Sequence, residues 1–415
     1  MGRKVFLSFL GIGPKNGYSK CEYILNEKTL SETEFVQVAE IEYHGRNFFD
    51  KIIIACTKTS KDKYFNELNN ALKGSAEEIE ISENLDPASQ WEGFEKIIGK
   101  FLPNDELYLD LTHGFRSVPI MFSIAVNFLQ QIKNIELKAA YYGAHDQGNR
   151  IIDFKDFFAL NLWADAVSRL VENADAKKLA AVASGNESFQ IADLNDDKMI
   201  ESFNKLTDSI RNVDVNNISG IASDAIKMVK AKQAAASETE KLLLDMVIEK
   251  FSLLSTEEPL SGQYDEEYFR VQIEIIKVLI EHKLFMQAFT AMRECVGSIG
   301  LIGFENVKFS NGDGRKKRNY ADVFVNMLQF DEEKWVFNEQ QLIFVDKLKP
   351  FYYKLQKNGV ESKLRIFVKE MINLRNSFDH AWTSRQKSDD DINSKAFNYF
   401  EILKKSIEMI FKKQD

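Results

Sequence analysis

Up to residue 155, short apolar runs alternate with longer stretches in which apolar residues recur at helical spacing. The short runs predict strands at residues 5–10, 51–56, 78–81, 106–111 and 136–142, and the longer stretches predict helices at 61–72, 90–101 and 118–132. The turn signal at residues 146–149 predicts that residues 150–154 return as an antiparallel edge strand. Strands that alternate with helices form a mostly parallel sheet covered on both faces, so this part is predicted to be an α/β domain.

From residue 156 onwards the pattern is helical. No proline occurs between Pro119 and Pro259, and the stretch from 156 to 250 is rich in Ala, Lys, Glu, Leu and Asp. This composition predicts a helical connector. Residues 268–297 are predicted to form one long amphipathic helix, and residues 360–382 and 393–413 two more. The pattern thus predicts an α/β domain at 1–158, an all-α connector at 159–265 and an all-α domain at 266–415.

Composition is that of a folded soluble protein, with 44% hydrophobic and 28% charged residues. The net charge of −9 argues against a protein that coats nucleic acid through bulk electrostatics, so any such contact must be local. Cys21, Cys56 and Cys295 lie far apart, which disfavours a disulfide framework and a zinc site and fits a reducing cytosol. No apolar run is long enough to span a membrane, and we expect a cytoplasmic protein.

A loop with two glycines follows the first predicted strand. Gly11 and Gly13 would let backbone N–H groups approach an anionic ligand, and a following helix would add its positive end. The third glycine of a dinucleotide-binding GxGxxG motif is replaced by Asn16. Taken by itself, this loop is equally consistent with an ordinary turn.

A second loop follows the strand at residues 106–111, and it turns abruptly polar. Thr112 offers a hydroxyl, Gly114 allows close backbone approach, and His113 and Arg116 can contact a phosphate or a base edge. Ligands of parallel α/β sheets bind at the carboxyl ends of strands, where this loop is expected. Ser117 is also an ordinary start for a helix, so a structural turn between strand and helix is an alternative.

The string from Asp110 to Gly114 resembles the DxTHG signature of CRISPR-associated proteins with a CARF domain, and the Leu-Gly-x-Gly loop is similar to that family too. The resemblance implies a Rossmann-like domain that dimerises and binds a cyclic oligoadenylate, expected to be cyclic tetra-adenylate, at the dimer interface. Asp110 is expected to orient its loop rather than touch the ligand. The residues implied to face the ligand are Gly11, Gly13, Thr112, His113, Gly114 and Arg116.

Near the C-terminus, a predicted amphipathic helix carries Arg375, Asn376 and His380. At 100° per residue, Arg375 and His380 are about 140° apart around an ideal helix, so they can line a wide cleft but not a narrow stripe. The structural alternative is that Arg375 pairs with Asp379 four residues on and that His380 is a polar helix end.

This RNxxxH pattern in an all-α domain resembles the signature of HEPN ribonucleases, which are known to occur together with CARF domains. The resemblance implies a metal-independent endoribonuclease of type III CRISPR antiviral defence, active as a homodimer, that cleaves single-stranded RNA by attack of the RNA's own 2′-hydroxyl. His380 would be the general acid or base, Arg375 would stabilise charge on the phosphate, and Asn376 would position either group. Glu294 is either a buried acid that orients Arg375 or a surface charge.

A basic run, Arg315, Lys316, Lys317 and Arg318, lies in a predicted loop rich in Gly, Asn and Asp. On an acidic protein this patch could track RNA phosphates, although most charge runs are simply solvated.

Other function classes stay open at this stage. A non-enzymatic nucleotide-sensing regulator would use the same N-terminal loops and bind nucleic acid or a protein partner through its helical C-terminus. A Rossmann oxidoreductase is disfavoured by the missing third glycine and by the lack of an acidic residue at the end of the second strand near Cys56. A metal-dependent nuclease is disfavoured as well.

Overall fold

A computed structural model describes the protein at residues 2–13, 17–84, 86–113, 118–185, 196–302, 304, 307–308, 314–381, 383 and 391–412. The chain divides into two compact units, Met1–Leu162 and Trp163–Asp415. In the described residues, the first unit carries a sheet with helices and the second is built from helices. This confirms the predicted order of an α/β part followed by an all-α part. The predicted boundary at residue 265 stays a prediction.

The first unit contains one mostly parallel sheet, which confirms the predicted fold class. Its described strands are β1 (Lys4–Leu10), β2 (Ile24–Leu25), β3 (Lys28–Thr29), β4 (Lys51–Cys56), β5 (Ala76–Glu80), β6 (Glu106–Asp110), β7 (Glu136–Ala144) and β8 (Arg150–Asp153). Their order across the sheet is β3-β2-β8-β7-β6-β1-β4-β5. Strands β7, β6, β1, β4 and β5 run parallel, and β8 is antiparallel to β7.

Alternate side chains of the strands enter two cores, one on each face of the sheet. In β1, Phe6 and Leu10 belong to one core, and Val5, Leu7 and Phe9 belong to the other. Helices α1 and α3 cover the first face, while α4 and α5 cover the second. The described helices of this unit are α1 (Val36–His44), α2 (Lys58–Ser60), α3 (Asn66–Ala71), α4 (Pro87–Ile98) and α5 (Val118–Ile132).

Three features of the first unit differ from the prediction. Strand β8 pairs antiparallel with β7 as predicted, but its predicted place at the edge is wrong, because β2 pairs with its other side in parallel. Strands β2 and β3 have two residues each, which is too short for a periodic pattern to register. Helix α1 is buried at every position from Val36 to Ile41, so it lacks the contrast between apolar and polar faces by which helices are recognised.

The second unit contains a series of helices, which follow α6 (Lys155–Asn173). They are α7 (Lys177–Gly185), α8 (Asp197–Arg211), α9 (Ile218–Gln233), α10 (Glu238–Phe251), α11 (Glu266–Glu281), α12 (Phe285–Ile299), α13 (Gly314–Gln329), α14 (Glu339–Lys357), α15 (Val360–Asp379) and α16 (Ile392–Phe411). None of the helices in the described ranges combines the length and the apolar character that crossing a membrane requires.

The single long helix predicted at residues 268–297 is wrong, because α11 and α12 are separate helices. Lys283 between them adopts the left-handed conformation, with φ +57°. Its N–H donates to Ile280 O, and the N–H of Leu284 donates to Leu279 O, which is the hydrogen-bond pattern that ends a helix at a left-handed residue. The apolar spacing continues across the break because both helices are buried, so periodicity alone does not reveal the end.

Candidate functional sites

The carboxyl ends of β1 and β6 lie side by side, because the two strands pair in parallel. The segment after β1 (the β1 loop, described at residues 11–13 and 17) and the segment after β6 (the β6 loop, described at residues 111–113) therefore start at the same edge of the sheet. Asp110, the last residue of β6, is completely buried there. Its Oδ2 accepts a hydrogen bond from Ser8 Oγ at 2.6 Å, and its Oδ1 accepts one from the backbone N–H of Thr112 at 2.8 Å. Asp110 thus ties the β6 loop to β1.

Thr112 is held on its other side by β7. Its Oγ1 accepts a hydrogen bond from the backbone N–H of Gly143 at 2.7 Å. A Cβ at Gly143 would lie 3.1 Å from the methyl carbon of Thr112 and 3.1 Å from Val36, so β7 approaches too closely for a larger residue. The described start of the β6 loop is therefore fixed by both neighbouring strands.

His113 is half-buried beside this network. Burial lowers the pKa of its imidazole; the nearby Asp110 opposes this shift and His145 reinforces it. Burial in turn raises the pKa of Asp110, against the effect of His113 and of its two hydrogen-bond donors. The imidazole is therefore neutral at neutral pH, so it can offer a ligand a hydrogen bond but no full charge.

The described part of the β1 loop contains two positions that favour glycine for their backbone conformation, Gly13 and Gly17 (φ +82°). Gly13 has φ +72°, a left-handed value that is strained for residues with a side chain. The helix expected to follow this loop is wrong for the described residues 17–35, where α1 begins only at Val36. Backbone N–H groups of the loop can still approach an anion, but they do so without a helix dipole behind them.

Four of the six residues expected to face a ligand lie on these two neighbouring loops. They are Gly11 and Gly13 on the β1 loop and Thr112 and His113 on the β6 loop. Gly114 and Arg116 lie outside the described residues. The role of all six in ligand binding stays a prediction.

Sequence reasoning missed two polar residues that are fully buried beneath this edge, Gln37 and Glu40 of α1. Gln37 Nε2 donates to the carbonyl oxygen of Phe9 at 3.1 Å. Neither carboxyl oxygen of Glu40 has a hydrogen-bond partner among the described residues. Burial raises the pKa of Glu40 well above its ordinary value, and Asp110 and Asp153 raise it further. Polar residues in a short mixed stretch look like surface positions, so no sequence pattern indicates this cluster.

The second candidate site is the C-terminal end of α15. Arg375 is half-buried, Asn376 and His380 are exposed, and Arg375 Nη1 lies 3.2 Å from Asp379 Oδ2. His380 follows the last helical residue, and its backbone N–H donates to Asn376 O at 3.0 Å. The Nε of Arg375 is buried and donates to no described residue. The ion pair that the structural alternative predicted is thus present, and the exposed His380 takes no part in it.

The remaining C-terminal expectations have different outcomes. Glu294 is exposed and pairs with Arg293 at 2.6 Å, so it is the surface charge of the two interpretations. The basic run was predicted to lie in a loop, and this is wrong. Arg315, Lys316, Lys317 and Arg318 form the first turn of α13. Lys and Arg are good helix formers, so the helix that begins its buried face at Tyr320 extends back through the run.

Metal binding has no candidate in the described part of the chain, where no group of three or more His, Cys, Asp or Glu side chains is arranged to hold an ion.

The chain is similar to a protein that is named as CRISPR-associated. No family model matches it. It is similar to the CRISPR-associated protein MJ1674 of Methanocaldococcus jannaschii, with 24% identity over 298 residues. These residues are 69% of this chain and 40% of the relative, so the chain spans less than half of the relative's length.

Among solved structures, the chain is similar to Enterococcus italicus Csm6 bound to cyclic hexa-2′-fluoro-hexa-dAMP. The two share 13% identity with a TM-score of 0.44, over 99% of this chain and 95% of that one. The motif that resembles the CARF signature lies in the sheet-containing unit of this chain, and the motif that resembles the HEPN signature lies in the helical unit.

Proposed function

We propose that this chain is a metal-independent endoribonuclease of CRISPR antiviral defence that is switched on by a cyclic oligoadenylate. The observation that carries the proposal is the buried network of Ser8, Asp110 and Thr112, which holds the DxTHG loop beside the glycine loop. Burying a carboxyl group costs free energy unless hydrogen bonds compensate for it. A fully buried carboxyl that accepts two hydrogen bonds is therefore typical of a loop whose position matters for binding.

The two loops offer donors suited to a ring of phosphates and bases. Thr112 Oγ1 already accepts a hydrogen bond from Gly143, so its own hydrogen can be donated to a phosphate oxygen. Gly11 and Gly13 allow close approach of backbone N–H groups. Arg116 supplies the positive charge that the neutral His113 lacks. We propose cyclic tetra-adenylate as the activator, bound between two copies of the sensor unit.

The cleavage step uses only groups of the protein and of the RNA. The 2′-hydroxyl of the substrate attacks the adjacent phosphorus, a histidine accepts its proton, and the bond from phosphorus to the 5′-oxygen breaks. A proton returned to that oxygen gives a 5′-hydroxyl, and the other product is a 2′,3′-cyclic phosphate. Arg375 stabilises the charge that builds on the phosphate oxygens through its fixed N–H donors, and Asn376 positions the phosphate or the histidine.

One arginine and one histidine per chain are few for a reaction that needs a general base, a general acid and a group that stabilises charge on the phosphate. We therefore propose a homodimer, in which two copies of His380 share the roles of base and acid. The exposure of His380 at the end of α15 is compatible with such sharing, because a buried imidazole could not reach a second chain.

Single-stranded RNA is the proposed substrate, and its phosphates are proposed to contact Arg315, Lys316, Lys317 and Arg318. Four cations in the first turn of α13 oppose the positive end of the helix dipole. A bound phosphate would relieve this repulsion. High salt would weaken the contact with phosphate and therefore RNA binding.

A second candidate is a nucleotide-sensing regulator whose helical unit binds nucleic acid or a protein partner without cleaving anything. The 3.2 Å ion pair between Arg375 and Asp379 favours it, because this pair is what an ordinary helix surface would show.

Cleavage of single-stranded RNA in the presence of EDTA tests the proposal, with cyclic tri-, tetra- and hexa-adenylate added in turn. We expect cleavage by the wild type with one ring size, and a loss of at least about a hundredfold in Arg375→Ala and in His380→Ala. Arg169→Ala is the matched control, because Arg169 forms the same pair with Asp165 four residues earlier in α6. This variant should cleave like the wild type.

A wild type that binds a cyclic oligoadenylate but never cleaves RNA supports the second candidate function, the nucleotide-sensing regulator. Equal activity of the wild type, Arg375→Ala and His380→Ala excludes the α15 end as the catalytic site.

A further inference from the structure

Tyr18 contacts both loops of the sensor edge. Its hydroxyl donates a hydrogen bond to the carbonyl oxygen of Gly11 at 3.1 Å. Its ring packs edge-on against the imidazole of His113, with 5.3 Å between the ring centroids. One side chain thus joins the backbone of the β1 loop to the only titratable side chain in the described part of the β6 loop.

The ring of Tyr18 is held in turn by the core. Phe35 and Tyr64 pack against it at centroid distances of 5.2 and 4.9 Å. Burial raises the pKa of its phenol, so the hydroxyl stays protonated and remains a donor at neutral pH. A Cβ at Gly13 would lie 3.2 Å from this ring, so the β1 loop rests directly on it. Tyr18 therefore cannot move without moving the loop.

We propose that Tyr18 is a positioning residue of the ligand site, which couples the backbone of the β1 loop to the side chain of His113. The inference rests on the proposed function in that it takes the two loops as the site of the cyclic oligoadenylate. The hydroxyl fixes the Gly11 carbonyl and thereby the neighbouring amide donors. The ring covers one side of the imidazole. A phosphate that draws the β1 loop towards itself shifts the Tyr18 ring, and this changes the contact with His113.

A ring that merely fills the core would give different results from a positioning residue. Filling requires the ring but not the hydroxyl, so Tyr18→Phe would then bind ligand as the wild type does. Positioning requires both parts, and each part has its own readout: the hydroxyl acts on ligand affinity, and the ring acts on His113.

Ligand affinity is measured by calorimetry on the full chain with cyclic tri-, tetra- and hexa-adenylate. Tyr18→Phe removes one hydrogen bond to the β1 loop and should weaken binding about three- to tenfold. Tyr18→Ala also removes the ring and should weaken binding by more than about thirtyfold. Tyr64→Phe is the matched control, since Tyr64 belongs to the same aromatic cluster and its hydroxyl donates to no described residue. It should bind like the wild type.

The second readout needs no ligand. The pKa of His113 is followed by NMR of its ring carbons in the free protein. Burial lowers this pKa, while Asp110 and His145 act on it in opposite directions. Tyr18→Ala exposes the imidazole and should raise the pKa towards its ordinary value. Tyr18→Phe keeps the ring in place and should leave the pKa unchanged.

The two readouts separate failure of the inference from failure of the proposed function. Wild-type affinity in Tyr18→Phe, or an unchanged His113 pKa in Tyr18→Ala, overturns the positioning role. If no cyclic oligoadenylate binds the wild type, the proposed function fails, and the His113 titration alone then decides whether Tyr18 acts on the imidazole.

Discussion

Ser8 Oγ donates a hydrogen bond of 2.6 Å to Asp110 Oδ2 across the paired strands β1 and β6, and neither side chain is exposed to solvent. The contact joins the two strand ends from which the β1 and β6 loops begin. It stabilises Asp110 in its charged form, because a hydrogen bond to the carboxylate lowers the pKa that burial raises. The network therefore holds the starts of both loops and partly offsets the effect of burial on the pKa of Asp110.

Replacing Ser8 by alanine leaves a buried carboxyl oxygen without its donor. We expect Ser8→Ala to lower the opening free energy of the sheet by about 1 to 3 kcal/mol, as measured by hydrogen exchange of β1 and β6 amides. Ser75→Ala is the control, because Ser75 is exposed and its hydroxyl donates to the Leu72 carbonyl at 2.7 Å. Its cost should stay below about 1 kcal/mol. Equal costs would contradict a special role for the Ser8 contact.

Alanine variants of Gly13 and Gly148 distinguish the effect of backbone strain from that of steric crowding. Both have positive φ, +72° and +78°, but only a Cβ at Gly13 would meet another side chain, that of Tyr18 at 3.2 Å. Each alanine variant should lose about 1 to 2 kcal/mol of stability from the left-handed backbone. Only Gly13→Ala should also weaken binding of the cyclic oligoadenylate, by about tenfold. Calorimetry that finds the same affinity in both variants would remove the β1 loop from the site.

Ionisation of the buried Glu40 makes the stability of the sheet depend on pH. Its folded pKa is raised above the unfolded value of about 4.3, so the folded state holds more protons between those two pKa values. Stability therefore falls as the pH rises through this window. Glu40→Gln cannot ionise, and it should be more stable than the wild type by about 1 to 3 kcal/mol near pH 8 and equal to it near pH 4.

Hydrogen exchange of the β1 amides at about pH 4 and about pH 8 measures this difference. Asp110 is present in both proteins, and its repulsion of the Glu40 carboxylate is part of the difference that Glu40→Gln removes. A wild type that matches Glu40→Gln at the higher pH would mean that Glu40 has found partners for its carboxylate.

Asp379 competes with RNA for Arg375 if Arg375 binds the scissile phosphate. Asp379→Asn should then lower the Michaelis constant for RNA about twofold, which corresponds to the 0.3 to 0.5 kcal/mol of a helical i,i+4 ion pair. Asp165→Asn, which breaks the equivalent pair with Arg169, should leave the constant unchanged. The Michaelis constant is obtained from steady-state cleavage rates. An unchanged or higher Michaelis constant in Asp379→Asn would indicate that the ion pair is purely structural.

Chelation distinguishes the proposed chemistry from metal-assisted hydrolysis. With a 2′-hydroxyl nucleophile, a histidine and an arginine, the cleavage rate should be the same with excess EDTA as with added Mg²⁺. Products that end in a 2′,3′-cyclic phosphate should form in both cases. A rate that collapses in EDTA and returns with Mg²⁺ would reject the metal-independent mechanism.

Local pattern was enough to predict the parallel strands and the two motifs. The strand at 51–56 matches β4, and those at 5–10, 106–111 and 136–142 differ from β1, β6 and β7 by one or two residues. Buried parallel strands are continuous apolar runs, and such runs are visible in any short window of sequence. The DxTHG string and the RNxxxH pattern are equally local, so their chemistry could be stated before any geometry was known.

Only the tertiary structure decided which of these residues meet. Ser8 and Asp110 are 102 positions apart, and their contact follows from strand order, which places β1 between β6 and β4. The burial of Glu40, the contact of Tyr18 with His113 and the break at Lys283 likewise depend on what packs against each residue. The spacing of apolar residues shows which face of a helix or strand is buried, but it does not show which element packs against that face. The neighbour is determined by the packing of the whole unit.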